Sequence, residues 1–215
     1  MNDTTKIVFI LDRSGSMSHL RQDTIGSFNS LVEEQKEKEG NCVISTILFD
    51  NKVDVLHDNI DINDIDRMTE KDYFTRGTTA LLDAVGSTVK KTVHQFKDLY
   101  REERPNNVMF VIITDGMENS SKNYSYSKVA KLISNVEEKF EWEFLFIGAN
   151  IDAIKEGSKF GIRRERSVNY KADKKGNKVV YETISKTITN YRTTNQIDNS
   201  WKENINDDFK TRERK

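Results

Sequence analysis

The stretch Asp12-Arg13-Ser14-Gly15-Ser16 has the residue types and spacing most suggestive of chemistry. Asp12, Ser14 and Ser16 place an oxygen-bearing side chain at every second position, and Gly15 gives the turn freedom to tighten. A tight loop there can turn three oxygens inward. Carboxylates, hydroxyls and water are what a hard cation such as Mg2+ prefers, in near-octahedral geometry. Two later stretches carry matching groups. Ile112-Ile113-Thr114-Asp115-Gly116 sets a carboxylate after an apolar run, and Gly77-Thr78-Thr79-Ala80-Leu81 sets threonine hydroxyls where a helical pattern opens. Taken singly, each has an ordinary structural explanation: a Ser/Gly turn with a helix cap, an Asp-Gly turn, and a threonine N-cap. Taken together, two carboxylates and three hydroxyls could surround one oxygen-rich hole, provided the fold brings the three loops to one edge.

The pattern of elements meets that condition. Apolar runs recur at 6–11 (KIVFIL), 43–49 (VISTILF), 107–114 (NVMFVIIT) and 143–149 (EFLFIGA). They are short, nearly continuous and rich in β-branched and aromatic residues, as strands buried on both faces of a parallel sheet are. VDVLH at 53–57 follows across Asp50-Asn51-Lys52, which suggests a hairpin carrying an antiparallel edge strand. Between the runs the period becomes helical: Ile25, Phe28, Leu31 and Val32; then Leu82, Val85, Val89, Val93, Phe96 and Tyr100; then Val129, Leu132, Ile133, Val136 and Phe140. This alternation predicts an α/β fold with a Rossmann-like, doubly wound, mostly parallel sheet, one antiparallel edge strand and helices on both faces. Such sheets bind ligands at the carboxyl ends of their strands, where Asp12 and Asp115 fall. After Gly161 comes the charge-rich RRERSVNYKADKKGNK with an expected turn at 175–177, then an amphipathic helix marked by Val180, Ile184, Ile188 and Tyr191. In the polar tail, Ile197, Trp201, Ile205 and Phe209 recur every fourth residue, on one slowly drifting helix face. A helix packed on the domain, a partner-docking segment and a disordered tail all fit that pattern.

Composition narrows the function. The 215 residues carry 34 basic and 35 acidic side chains, a net charge of -1, which argues against bulk attraction to nucleic acid or an anionic membrane. Arg163, Arg164, Arg166, Lys171, Lys174, Lys175 and Lys178 form a basic stretch, but Glu165 and Asp173 interrupt it, and it reads as a solvated loop. One cysteine, Cys42, excludes a disulfide framework, and three scattered histidines argue against a His-rich metal site. The N-terminus lacks a basic n-region and no apolar stretch reaches membrane-spanning length, so a cytoplasmic protein is expected. The phosphate-binding loop, the dinucleotide fingerprint and the G-x-S-x-G elbow are all missing. Ser14 stands where D-x-D phosphatases need a second acid, and His57 and His94 read as loop and helix-surface residues. The expectation is a protein that is not an enzyme, with a metal-dependent hydrolase or phosphatase as the alternative.

The three motifs, in this order, resemble those of the von Willebrand factor A-type domain with its metal-ion-dependent adhesion site. D-x-S-x-S matches at Asp12, Ser14 and Ser16; TRGTTALLDAV (75–85) resembles the family's G-G-T-x-L-x-x-A-L; ITDG matches through Asp115. The match covers roughly 5–160, and Thr78 stands where a second glycine is usual. The resemblance implies metal ligands Asp12, Ser14, Ser16, Thr79 and Asp115, with Thr79 rather than Thr78 binding. It implies direct contact through the three hydroxyls and contact through metal-bound water for the two aspartates. The cofactor implied is Mg2+, with Mn2+ able to replace it, and the partner is a protein presenting an Asp or Glu, with neither nucleic acid nor membrane involved. Arg13, Met17, Thr78, Glu118 and Asn119, together with His19 and Met117, flank the site as its expected partner-binding rim. The later FLFIGANIDAI and VNYKADKKG stretches resemble small stand-alone members from bacteria and phages, which implies an assembly or regulatory role. The expected division is an A-type domain over 1–192 and a tail over 193–215.

Overall fold

The computed structural model describes residues 3–213; Met1, Asn2 and the last two residues of the tail lie outside the described residues. Among the described residues one sheet runs β3-β2-β1-β4-β5-β6. Strands β1 (Thr4–Asp12), β2 (Asn41–Phe49), β4 (Asn107–Thr114), β5 (Glu143–Ala149) and β6 (Ser167–Tyr170) are parallel. Strand β3 (Val53–Asp61) pairs antiparallel with β2 at the edge. Side chains of β1 alternate between two buried clusters. Ile7, Phe9 and Leu11 pack with residues of α1 (Arg21–Lys36) and α5 (Lys174–Thr194). Val8 and Ile10 pack with residues of α2 (Leu81–Asp98), α3 (Tyr126–Phe140) and the short α4 (Ala153–Lys159). Burial on both faces explains the unbroken apolar runs. Strand order reverses between β1 and β4, the crevice where open α/β sheets place their ligands.

Four local expectations are corrected. The edge strand continues past 57 to Asp61, because shifts of register against β2 and a left-handed Asn59 (φ 58°) let it bend and keep pairing. His57 is therefore a strand residue, buried, bonded to Thr46 Oγ1 at 3.0 Å and stacked on Phe28. The expected turn at 175–177 is the first turn of α5: Asp173 caps it by accepting from Gly176 N at 2.9 Å. A Cβ at Gly176 would lie 2.0 Å from Lys171 O, so the glycine serves close approach rather than a turn. Helix α2 stops at Asp98, where Arg104 donates to the carbonyls of Lys97 and Leu99, and Tyr100 is left exposed. The tail is not one continuous helix. Ile197 precedes a 3-10 turn at Asn199–Lys202, started by the Asp198 cap, and α6 spans Glu203–Glu213. Ile197, Trp201 and Ile205 nonetheless enter the same cluster as α1 and α5, and Phe209 is half-buried.

One charged residue points into the α2 side of the sheet. Lys6 is 3% exposed, and its Nζ donates to Gln95 Oε1 at 3.0 Å. Burial lowers its pKa from 10.5 to about 8, with Asp58 opposing the shift. Between those values the unfolded chain holds a proton that the folded one releases, so this residue makes stability rise with pH across the window. Lys6→Met should therefore be more stable than wild type at pH 7, with the gap closing from about pH 8 towards 10.5. Paired melting curves over that range check it; a gap that ignores pH would clear Lys6.

Candidate metal centre

Asp12 is the last residue of β1, and Asp115 follows the last residue of the adjacent β4, so the sheet itself sets the two carboxylates side by side. Asp12 shapes its own loop. Its Oδ1 accepts from Ser14 N at 2.7 Å and its Oδ2 from Thr114 Oγ1 at 2.6 Å. The Ser14 and Ser16 hydroxyls lie 3.1 Å apart, and Ser16 Oγ donates to Asp115 Oδ1 at 2.5 Å. Thr79 completes the ring. A Cβ built on Gly116 would sit 3.3 Å from Thr79 Oγ1 and 3.9 Å from Ser16 Oγ, so the glycine keeps open a space that both hydroxyls border. Thr78 is exposed, whereas Thr79 is buried. The loops thus meet around two carboxylates and three hydroxyls.

Asp12, Ser14, Thr79 and Asp115 are buried, yet no basic side chain among the described residues pairs with either aspartate. Asp115 Oδ2 is buried with no hydrogen-bond partner. Burial pushes Asp12 up to about 6, against hydrogen bonds from Thr114 and Ser14 that favour its charge. Burial likewise raises Asp115, against the Ser16 hydroxyl and the nearby His19. A buried acceptor without a donor is costly, and a small cation is the kind of group that would satisfy it. Nowhere among the described residues do three or more His, Cys, Asp or Glu side chains gather as metal ligands. The donor set is oxygen throughout, which suits a hard divalent ion and not a thiolate- or imidazole-seeking one.

A second set of side chains fixes the loops. Arg13 is 2% exposed; its Nε donates to Asp50 Oδ2 at 2.9 Å, and its guanidinium also bonds Asp54. Arg76 Nε reaches the same Asp50 oxygen at 2.8 Å, and both guanidiniums lie over the Phe74 ring, 4.8 and 4.9 Å from its centroid. Backbone bonds join the same segments: Gly15 N to Gly77 O at 3.2 Å, Arg76 N to Arg13 O at 3.0 Å, and Ala80 N to Asp50 O at 2.8 Å. Tyr73 donates its hydroxyl to Asp12 O. Gly77, at φ 65°, holds the left-handed turn that points its carbonyl at the serine loop.

The expected threonine N-cap is absent: Ala80 sits at that position and no side chain of its own caps the helix. The loop after Asp115 caps α2 instead. Glu118 Oε2 accepts from Leu82 N at 2.8 Å, Ser121 Oγ from Asp83 N at 2.9 Å, and Asn119 Oδ1 from Thr79 N at 2.9 Å. Asp83 returns the favour, accepting from the amides of Lys122, Asn123 and Tyr124, each at 2.9 Å.

These bonds revise the expected rim. Arg13 and Met17 are buried and cannot touch a partner, because Arg13 turns inward to Asp50 and Met17 packs beneath its 3-10 turn. Glu118 is half-buried and engaged as a cap of α2, while Asn119 is exposed and spends its amide oxygen on Thr79 N. Thr78 remains exposed beside the site, as do Met117, at 63%, and His19, whose two ring nitrogens lie 2.9 and 2.8 Å from the carbonyls of Ser16 and Ala172. The scaffold residues Asp50, Tyr73 and Arg76 escaped sequence reasoning, since their partners lie dozens of residues away and no spacing rule connects them.

No family model and no curated protein matches the sequence. Solved structures do resemble it. The proximal thread matrix protein 1 of the mussel byssus, with a zinc-occupied MIDAS motif, aligns at TM-score 0.59 and 16% identity over 86% of this chain and 46% of that one. Manganese-loaded TRAP protein of Plasmodium vivax aligns at 0.56 and 18%, over 80% and 70%. A von Willebrand factor type A protein of Catenulispora acidiphila aligns at 0.54 and 13%, over 86% and 42%. The chain spans about half the length of the mussel protein, and at these identities the likeness is one of fold.

Proposed function

The chain has the von Willebrand factor A-type fold, and from that premise we propose that it is a divalent-cation-dependent protein-interaction module and not a catalyst. The observation that carries this reading is the unpartnered, buried Asp115 Oδ2 on a ring of hydroxyls from Ser14, Ser16 and Thr79. Those residues and Asp12 would hold the ion; Mg2+ is the proposed occupant and Mn2+ a working substitute. Bound there, the cation supplies a positive centre that attracts a carboxylate from a partner protein's Asp or Glu. This chain's own contribution is to position it. Asp12 spends one hydrogen bond per oxygen on holding Ser14 and Thr114 in place, and neutral hydroxyls complete the site without adding charge. Ser16 and Thr78 are exposed at the mouth, where a partner side chain would enter.

The same geometry supports an interaction role over hydrolysis. None of the three histidines offers an accessible nucleophile–base pair: His19 contacts backbone carbonyls, the His57–Thr46 hydroxyl contact is buried, and His94 lies exposed on α2. Cys42 is buried and its thiol pKa is pushed up to about 11, as suits an unreactive residue. No helix among the described residues is long and apolar enough to cross a membrane. A cytoplasmic assembly or regulatory component of a bacterial or phage system is the setting we propose.

The test is affinity capture from source-cell lysate with wild type and Asp12→Asn, each in Mg2+ and in EDTA. A protein retained only by wild type with Mg2+ supports the reading. One retained in all four conditions moves the interaction to another surface and overturns it.

A further inference from the structure

At the other end of β1 lies a second concave site that metal binding leaves unused. Lys6 and Asp12 sit six residues apart on one strand, so about 20 Å separates this site from the metal centre. A cavity of about 270 Å3 opens there between β1, the bent end of β3 and the last turns of α2. Phe96, Leu99 and Pro105 give it an apolar wall, while Thr92, Gln95 and Asn59 add polar atoms. Lys6 lines it, with a side chain buried to within 3%.

The charge balance of this corner is incomplete. Lys6 Nζ has one hydrogen-bond partner, the neutral Gln95 Oε1, and no carboxylate lies within ion-pair distance of it among the described residues. The nearby Asp58 is already held by Lys91 at 2.8 Å and by Gln95 Nε2 at 2.8 Å. Asp98 also lines the cavity, but it is exposed to water and forms no ion pair with Lys6. A buried ammonium offers three donors, and here two lack partners. Buried charge without a counter-ion is costly, and a ligand that brings the counter-ion relieves the cost.

We propose that this cavity is a binding site for a small monocarboxylate with an apolar body, its carboxylate paired to Lys6 Nζ and its body laid on Phe96, Leu99 and Pro105. The apolar wall selects against inorganic anions, which have nothing to bury there. Asp98, exposed on the cavity lining, repels any anion, and a dianion about twice as strongly as a monoanion. Burial lowers the Lys6 pKa against the opposing charge of Asp58, and a carboxylate brought to Nζ should raise it.

The test uses octanoate and benzoate as probes, with 1-octanol and benzyl alcohol as bodies of similar shape without charge. Binding is read by thermal shift and by amide NMR shifts in EDTA, so that the result is independent of the metal centre. The acids should raise Tm saturably and move the amides of Lys6, Thr92, Gln95 and Leu99. Lys6→Met, which should fold at least as well as wild type, should bind the acids about tenfold more weakly, as loss of one charge-assisted hydrogen bond implies, while keeping the alcohols. Leu99→Trp, which fills the cavity, should lose both. Equal binding of acid and alcohol by wild type, unchanged acid binding in Lys6→Met, or shifts elsewhere on the surface would overturn the proposal.

Discussion

Asp115→Asn should abolish the stabilisation that Mg2+ or Mn2+ gives the wild-type protein. A cation that binds only the folded state raises stability by about 2.7 kcal/mol at a hundredfold excess over Kd. For a domain of this size that is a Tm increase of roughly 5–10 °C. Asn keeps an acceptor for the Ser16 hydroxyl, so the loop can stay closed, but it removes a charge that no basic side chain among the described residues pairs with. In EDTA the variant should therefore be no less stable than wild type, and the two melting curves should separate only as cation is added. Thermal melting of both proteins across a Mg2+ series measures this. A variant that keeps the full cation shift would remove Asp115 from the site.

Asp50→Ala should cost about 3–5 kcal/mol in unfolding free energy, the range for breaking a buried ion pair by deleting one partner. Asp50 is 0% exposed and Arg13 is 2% exposed, so the guanidinium left behind keeps only the half-exposed Asp54. The deletion also frees the amide of Lys52 and leaves Arg76, like Arg13, with Asp54 as its remaining carboxylate. Arg13→Met in the same chain should recover part of the loss, because it removes the stranded charge. Urea denaturation of the single and double variants reads both effects. A loss under about 1 kcal/mol for Asp50→Ala would mean that water reaches this cluster after all.

Much of the fold was legible because its strands are buried on both faces. KIVFIL, VISTILF, NVMFVIIT and EFLFIGA each became a parallel strand, and the edge hairpin after Asp50 formed as the Asp50-Asn51-Lys52 turn suggested. Strand β6 was not legible. Ser167–Tyr170 is four residues of mixed polarity inside a charged stretch, and only its neighbours Phe146–Ala149 make it a strand. The start of α5 was misread for a related reason: Lys-Gly-Asn carries a turn signature, and the contact between Gly176 and Lys171 that overrides it is tertiary. At the site, type and position singled out Asp12, Ser14, Ser16 and Asp115, because strand ends set where side chains go, whereas the choice of Thr79 over Thr78 came from the family resemblance alone. Arg13 could not. An arginine in a loop is normally solvated, and its burial depends on Asp50, Asp54 and Phe74, which no local pattern joins to it.

The exchange of caps between α2 and the loop after Asp115 bears on how the site meets an ion. Glu118, Asn119 and Ser121 hold the helix start while Asp83 holds the loop, so Thr79 and Asp115 are tied together by bonds that contain no metal. Loop ordering is thereby completed during folding, and little conformational entropy remains to be lost when a cation arrives. On the proposed reading the cradle would be set before any ion arrived, and the main cost of binding would be dehydration of the ion rather than rearrangement of the chain.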